Sequence, residues 1–107
     1  MSNYVLLYTG SGMPATEAER NRINNEWTTW YKKLDKAVID QGNPFAPMAR
    51  TISADGKVID GPIGSMVTGY TIIQAMSLDA AVQLAKSCPA LKYGAKVSVY
   101  ETINAMA

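Results

Sequence analysis

Two carboxylates, one thiol and a few aromatic side chains have sequence surroundings that suit chemistry. Asp60 lies in Asp60-Gly61-Pro62-Ile63-Gly64. That rigid loop can present a carboxylate at a pocket mouth as a base or ligand anchor, or fold it back onto its own backbone in an Asx-type turn. Glu26 falls mid-helix, four residues after Arg22. There it is either a proton-transfer group or half of a solvated ion pair. To act as a general base near neutrality, either carboxylate must be desolvated enough to raise its pKa. Cys88 precedes Pro89 at the end of an expected helix. The negative end of a helix dipole disfavours the thiolate, so Cys88 reads as a buried structural thiol.

Trp27, Trp30 and Tyr31 cluster at helical spacing, either as core or as the lining of a ligand pocket. Tyr8, Arg50 and Tyr70 carry polar tips on apolar segments, the arrangement small-molecule pockets use to orient a ligand. Tyr8, Trp30, Arg50 and Tyr70 are therefore the candidate ligand-binding residues.

Several chemistries are excluded. The chain has no histidine, which removes a Ser-His-Asp triad, a Cys-His pair and a two-His metal site. Gly10-Ser11-Gly12 lacks the third glycine and the directly following helix of a dinucleotide loop. Asp55-Gly56-Lys57 lacks the remaining ligands of a calcium loop. No metal and no cofactor are expected. The formal net charge is +1, and Lys92-Tyr93-Gly94 with Lys96 is too small a basic cluster for a nucleic-acid groove. Neither nucleic acid nor membrane is an expected partner.

The 107 residues form one expected domain, and 48% are apolar, enough for a core without staples. A single cysteine excludes an internal disulfide. Met1-Ser2-Asn3-Tyr4 lacks the basic start and apolar run of a signal peptide. No apolar stretch is long enough to span a bilayer, so the expected location is cytoplasmic.

The elements that must position these groups are legible in outline. Tyr4-Val5-Leu6-Leu7-Tyr8 reads as a strand, followed by a turn over Thr9–Pro14. Thr16-Glu17-Ala18-Glu19 fits a capping box. Ile23, Trp27, Trp30, Leu34, Ala37 and Val38 continue one apolar stripe, which predicts a helix from about Glu17 to about Gln41, closed by Gly42 as C-cap and by Pro44. Met48–Ser53 and Lys57–Ile59 flank the hairpin signal Asp55-Gly56. Gly69–Ala75 is a strand, and Ser77 caps a helix stopped by Pro89. Lys96–Glu101 is the closing strand, and Asn104–Ala107 a tail.

The order β-α-β-β-β-α-β, or β-α-β-β-α-β with a peripheral hairpin, is the split-βαβ, ferredoxin-like pattern of an α+β domain. It places two helices on one face of an antiparallel sheet. Ile72 and Ile73, like Leu6 and Leu7, point to opposite faces, so both sheet faces are apolar. The uncovered face calls for a second copy, giving a homodimeric α+β barrel.

Asp60-Gly61-Pro62, Gly69-Tyr70-Thr71-Ile72-Ile73, Ser77-Leu78-Asp79-Ala80-Ala81, Cys88-Pro89 and Val97-Ser98-Val99-Tyr100-Glu101 together resemble the YCII-related proteins, in particular the branch with a DGPF motif. Tyr4–Tyr8 and Gly42-Asn43-Pro44 extend the likeness over nearly the whole chain. The resemblance implies a ferredoxin-like fold, a dimeric α+β barrel and, from the company the DGPF branch keeps, regulation linked to alternative sigma factors. Some members carry a His in the first helix with a partner Asp; that His would fall near Glu26 or Trp27, and this chain has none. Ile63 stands where the motif has Phe, and Cys88 where many members have Asp.

These readings favour a small-molecule-binding or regulatory module without strong catalysis. The alternative is a small dimeric α+β barrel enzyme doing acid–base chemistry on a polar or aromatic substrate through Asp60, Glu26 and Tyr70.

Overall fold

The computed structural model describes residues 1–10 and 16–105. Part of the expected turn before the first helix, and the end of the expected C-terminal tail, lie outside the described residues.

Strand β1 (Ser2–Thr9) runs through the middle of the main sheet. Its sequence alternates under a continuous apolar run. Tyr4, Leu6 and Tyr8 are buried on one face, and Val5 and Leu7 point the other way. Helix α1 (Glu17–Leu34) begins where the capping signal places it, with the Thr16 hydroxyl accepting from the Glu19 N–H at 3.1 Å. The helix ends at Leu34, seven residues before the expected stop. Asp35 adopts φ 50°, a 3-10 turn follows over Asp35–Ala37, and Val38–Asp40 forms strand β2. Ala37 and Val38 still pack on the core, so their spacing mimics a helical stripe although their backbone has left the helix.

Gly42 is therefore no helix cap. It turns the chain after β2 at φ +74°, its N–H bonded to Asp40 Oδ1 at 2.8 Å. A Cβ there would lie 1.7 Å from the Tyr70 carbonyl oxygen, so only glycine fits.

Strands β3 (Arg50–Ile52) and β4 (Val58–Asp60) form the expected hairpin, but as a separate two-stranded sheet. Asp60 is the last residue of β4 rather than a loop residue. Ile52, Val58 and Ile59 remain more than half exposed on this arm. The radius of gyration, 15.3 Å, exceeds the roughly 13 Å of a compact chain of this length, as a projecting arm requires.

Strand β5 (Val67–Ala75), helix α2 (Leu78–Ala85) and strand β6 (Lys96–Glu101) follow the expected positions. Ser77 accepts from the Ala80 N–H at 3.1 Å as the α2 cap. Pro89 starts a further short helix, α3 (Pro89–Lys92), where its missing N–H has no helical partner to lose.

The main sheet has the order β2-β5-β1-β6 with every neighbour antiparallel. This is the ferredoxin-like split βαβ arrangement of an α+β domain. Trp30 and Leu34 of α1 and Ala81 and Ala85 of α2 share one core with Tyr4, Leu6, Tyr8 and Ile73, so the helices cover one face. The opposite face carries the cross-strand pairs Val5–Ile72, Leu7–Tyr70 and Val5–Tyr100. No helix among the described residues is long and apolar enough to cross a membrane.

Candidate functional site

Helix α1 presents Arg22, Glu26, Trp30 and Lys33 along one side, at intervals of four, four and three residues. Across from that side run the α2–α3 link and α3 itself, from Lys86 to Lys92. Between them lies an open groove of about 1030 Å³.

Glu26 is fixed at the rim. Lys92 Nζ lies 3.0 Å from Glu26 Oε1, and the Tyr93 hydroxyl is 2.9 Å from both carboxylate oxygens. The expected partner, Arg22, forms no ion pair with Glu26 and acts on it only at longer range. A helix-local spacing rule could not anticipate a partner 66 residues away. The Lys92 and Tyr93 donors hold the Glu26 carboxyl below its usual range, with Arg22 adding a smaller effect. It is ionised at neutral pH. In return, Glu26 pushes the Lys92 ammonium up.

Trp30 lies at the base of the groove. Trp30 is 3% exposed, and its indole N–H donates to Ser87 Oγ at 3.0 Å, tying α1 to the α2–α3 link. Trp27 packs edge-on against both Trp30 and Tyr8, with ring centroids 5.7 and 5.3 Å apart.

Behind these rings is a buried hydroxyl chain. The Tyr8 hydroxyl donates to Thr71 Oγ1 at 2.7 Å, and Thr71 Oγ1 donates onward to the Gln41 carbonyl at 3.0 Å. The Tyr31 hydroxyl donates to the same carbonyl at 3.1 Å. Burial raises the Tyr8 and Tyr31 hydroxyls above their ordinary range. Burial also pushes the Cys88 thiol up to about 11, so it stays protonated at neutral pH. The cause is desolvation rather than the α2 dipole, since Cys88 stands at the N-cap of α3.

The candidates named from sequence thus fall in three places. Glu26 and Trp30 meet at the groove, and Tyr8 lies behind it. Tyr70 is on the other sheet face, because it pairs with Leu7 rather than with an even-numbered β1 residue. There it stacks on Phe45 at 5.7 Å and approaches Asp40 at 3.4 Å. Arg50 and Asp60 are register partners on the hairpin, joined by a 3.4 Å ion pair with side chains 76% and 93% exposed. Neither faces the space between sheet and helices.

Lys92, Tyr93 and Thr71 are the residues that sequence reasoning missed. Thr71 had one signal: it is a hydroxyl among the inward positions Gly69, Ile73 and Ala75 of β5.

The fold places the chain among α+β proteins of ferredoxin-like topology. A solved structure that shares this fold is the 5-chloro-2-hydroxyhydroquinone dehydrochlorinase TftG from Burkholderia phenoliruptrix, in complex with 2,5-dihydroxybenzoquinone. The two align with a TM-score of 0.55 at 19% identity, over 94% of this chain and 93% of that one. At this identity the likeness shows the fold. No family model and no curated protein matches the chain.

Proposed function

We propose that this chain is a YCII-related homodimer that binds a small molecule in the groove between α1 and the α2–α3 link, without strong catalysis. The observation that carries this reading is the groove itself: an apolar lining of Ala18, Trp30, Pro89 and Leu91 beside a polar rim of Glu26 and Lys92 that Tyr93 braces from outside the groove. An apolar wall with a few oriented polar groups is the usual composition of a ligand site.

The dimer is supported by two apolar surfaces that the chain does not fully cover. One is the outer sheet face, where Val5, Leu7 and Ile72 are half-buried and Tyr100 is exposed. The other is the arm, with Ile52, Val58 and Ile59 exposed. A second copy laid sheet to sheet would shield the outer face, and the arm would reach over it.

A second reading, an acid–base enzyme, is favoured by the fold shared with a dehydrochlorinase. It is the weaker one because its three groups do not converge within one chain. Glu26 is in the groove, Tyr70 on the outer sheet face and Asp60 on the arm. Glu26 is moreover held ionised by its donors, which makes it a poor base at neutral pH.

A fragment library titrated into isotopically labelled protein tests the binding reading. The expected result is shift changes at the Trp30 indole, Glu26 and Lys92 for at least one compound. A library that perturbs none of them defeats it. Sedimentation at micromolar concentration tests the dimer, and a stable single subunit there overturns the barrel.

A further inference from the structure

We infer that the ligand of this groove is a small organic anion carrying at least two acidic groups, carboxylate or phosphate. The inference rests on the reading of the groove as a binding site and adds the chemistry that the site selects.

Charge over the whole chain is nearly balanced, with ten Lys and Arg against nine Asp and Glu. The groove is not balanced. Its walls hold Arg22, Lys33, Lys86 and Lys92 and a single acid, Glu26. Elsewhere six cations therefore face eight acids, so the positive charge is concentrated here rather than spread over the surface.

The one acid is already satisfied, by the Lys92 ammonium at 3.0 Å and the Tyr93 hydroxyl at 2.9 Å. Arg22, Lys33 and Lys86 form no ion pair with any described residue. Each of these three charges is left uncompensated, and an anion held between them supplies the missing partner.

The cations stand at two ends. Arg22 and Lys92 flank Glu26. Lys33 lies one helical turn beyond Trp30, and the bond from the Trp30 indole to Ser87 brings Lys86 to that same end. Arg22 and Lys33 are three turns apart on α1, about 16 Å of helix rise before their long side chains reach inward. Two cationic ends match a ligand with more than one acidic group.

Three probes test this by NMR titration at low ionic strength: citrate, inorganic pyrophosphate and benzyl alcohol as the uncharged control. The expected result is that citrate, pyrophosphate or both shift the Trp30 indole and the resonances flanking Lys33 and Lys86. Their relative affinities then separate carboxylate from phosphate as the preferred group. Lys33→Glu with Lys86→Glu should weaken that binding at least about ten-fold, with an unchanged thermal melt as the folding control, and added salt should weaken it too. Lys33→Ala with Lys86→Ala repeats the measurement if the charge reversal fails to fold. If benzyl alcohol shifts the groove and neither anion does, the anion inference falls while the binding site stands. If none of the three does, both fall. Anion affinity that both double variants leave unchanged also overturns the inference.

Discussion

The Tyr8 hydroxyl donates to Thr71 Oγ1 at 2.7 Å, across adjacent strands and under the aromatic cluster of α1. Thr71 is fully buried, and its own hydroxyl donates a hydrogen bond to the Gln41 carbonyl. Thr71→Val keeps the shape and removes both bonds, stranding the Tyr8 hydroxyl in the core. The expected loss is about 1–3 kcal/mol in urea unfolding. Tyr8→Phe combined with Thr71→Val should cost less than the sum of the two single changes, because no donor is then left unpaired. Strict additivity would mean the two groups act independently.

The Glu26 latch sets a pH window. Its carboxyl is held below its ordinary 4.5, so its contribution to stability is present above that value and is lost as pH falls through the lowered one. Lys92 is raised above 10.5, so its contribution is lost only as pH climbs through that higher value. Wild type should therefore melt above Glu26→Gln at pH 7, and the gap should shrink as pH falls from 4.5 through the lowered value. A gap that is absent at pH 7 would count against the ionised latch. Melting curves of both proteins between pH 3 and 7 decide it.

Gly42 and Gly56 both have positive φ, +74° and +88°, but only Gly42 is crowded. Gly42→Ala drives a Cβ into the Tyr70 carbonyl and should cost more than about 2 kcal/mol. Gly56→Ala meets open space and should cost about 1 kcal/mol from backbone strain alone. Chemical denaturation of the two variants side by side gives the comparison, and equal losses would contradict the clash.

Ile72→Lys places a charge on the outer sheet face, opposite the buried Ile73. The proposed dimer should dissociate, with sedimentation showing single subunits and circular dichroism showing an unchanged fold. A dimer that survives the substitution places the interface elsewhere.

Cys88 is 3% exposed, with its thiol pushed up to about 11. Alkylation by iodoacetamide at pH 8 should be slow in the folded protein and become fast in denaturant. Rapid modification of the native protein would refute the buried, protonated thiol.

The architecture was legible wherever the pattern was long. Gly69–Ala75 of β5, the Ser77 cap and the alternation of β6 sit where spacing puts them, with β5 starting two residues earlier, at Val67. Strand β2 was not legible. It is three residues at a sheet edge, too few for a period of two, and Ala37 and Val38 keep the core contacts that extend the α1 stripe. Asp35 turns the chain at positive φ without the glycine that would have announced it. Part of the site was readable in the same way. Glu26 and Trp30 share a helix face because they are four residues apart. Their partners Lys92, Tyr93 and Ser87 lie more than 50 residues away, and nothing in local spacing encodes such a contact.

Strand β1 sits at the centre of the sheet, with Thr9 registered against Val67 on one edge and Lys96 on the other. During synthesis, Tyr4-Val5-Leu6-Leu7-Tyr8 therefore leaves the ribosome well before either neighbour exists, with both backbone edges open. Until β5 emerges, this nascent segment is a template for pairing with another chain, a hazard that ends only when both of its edges are paired.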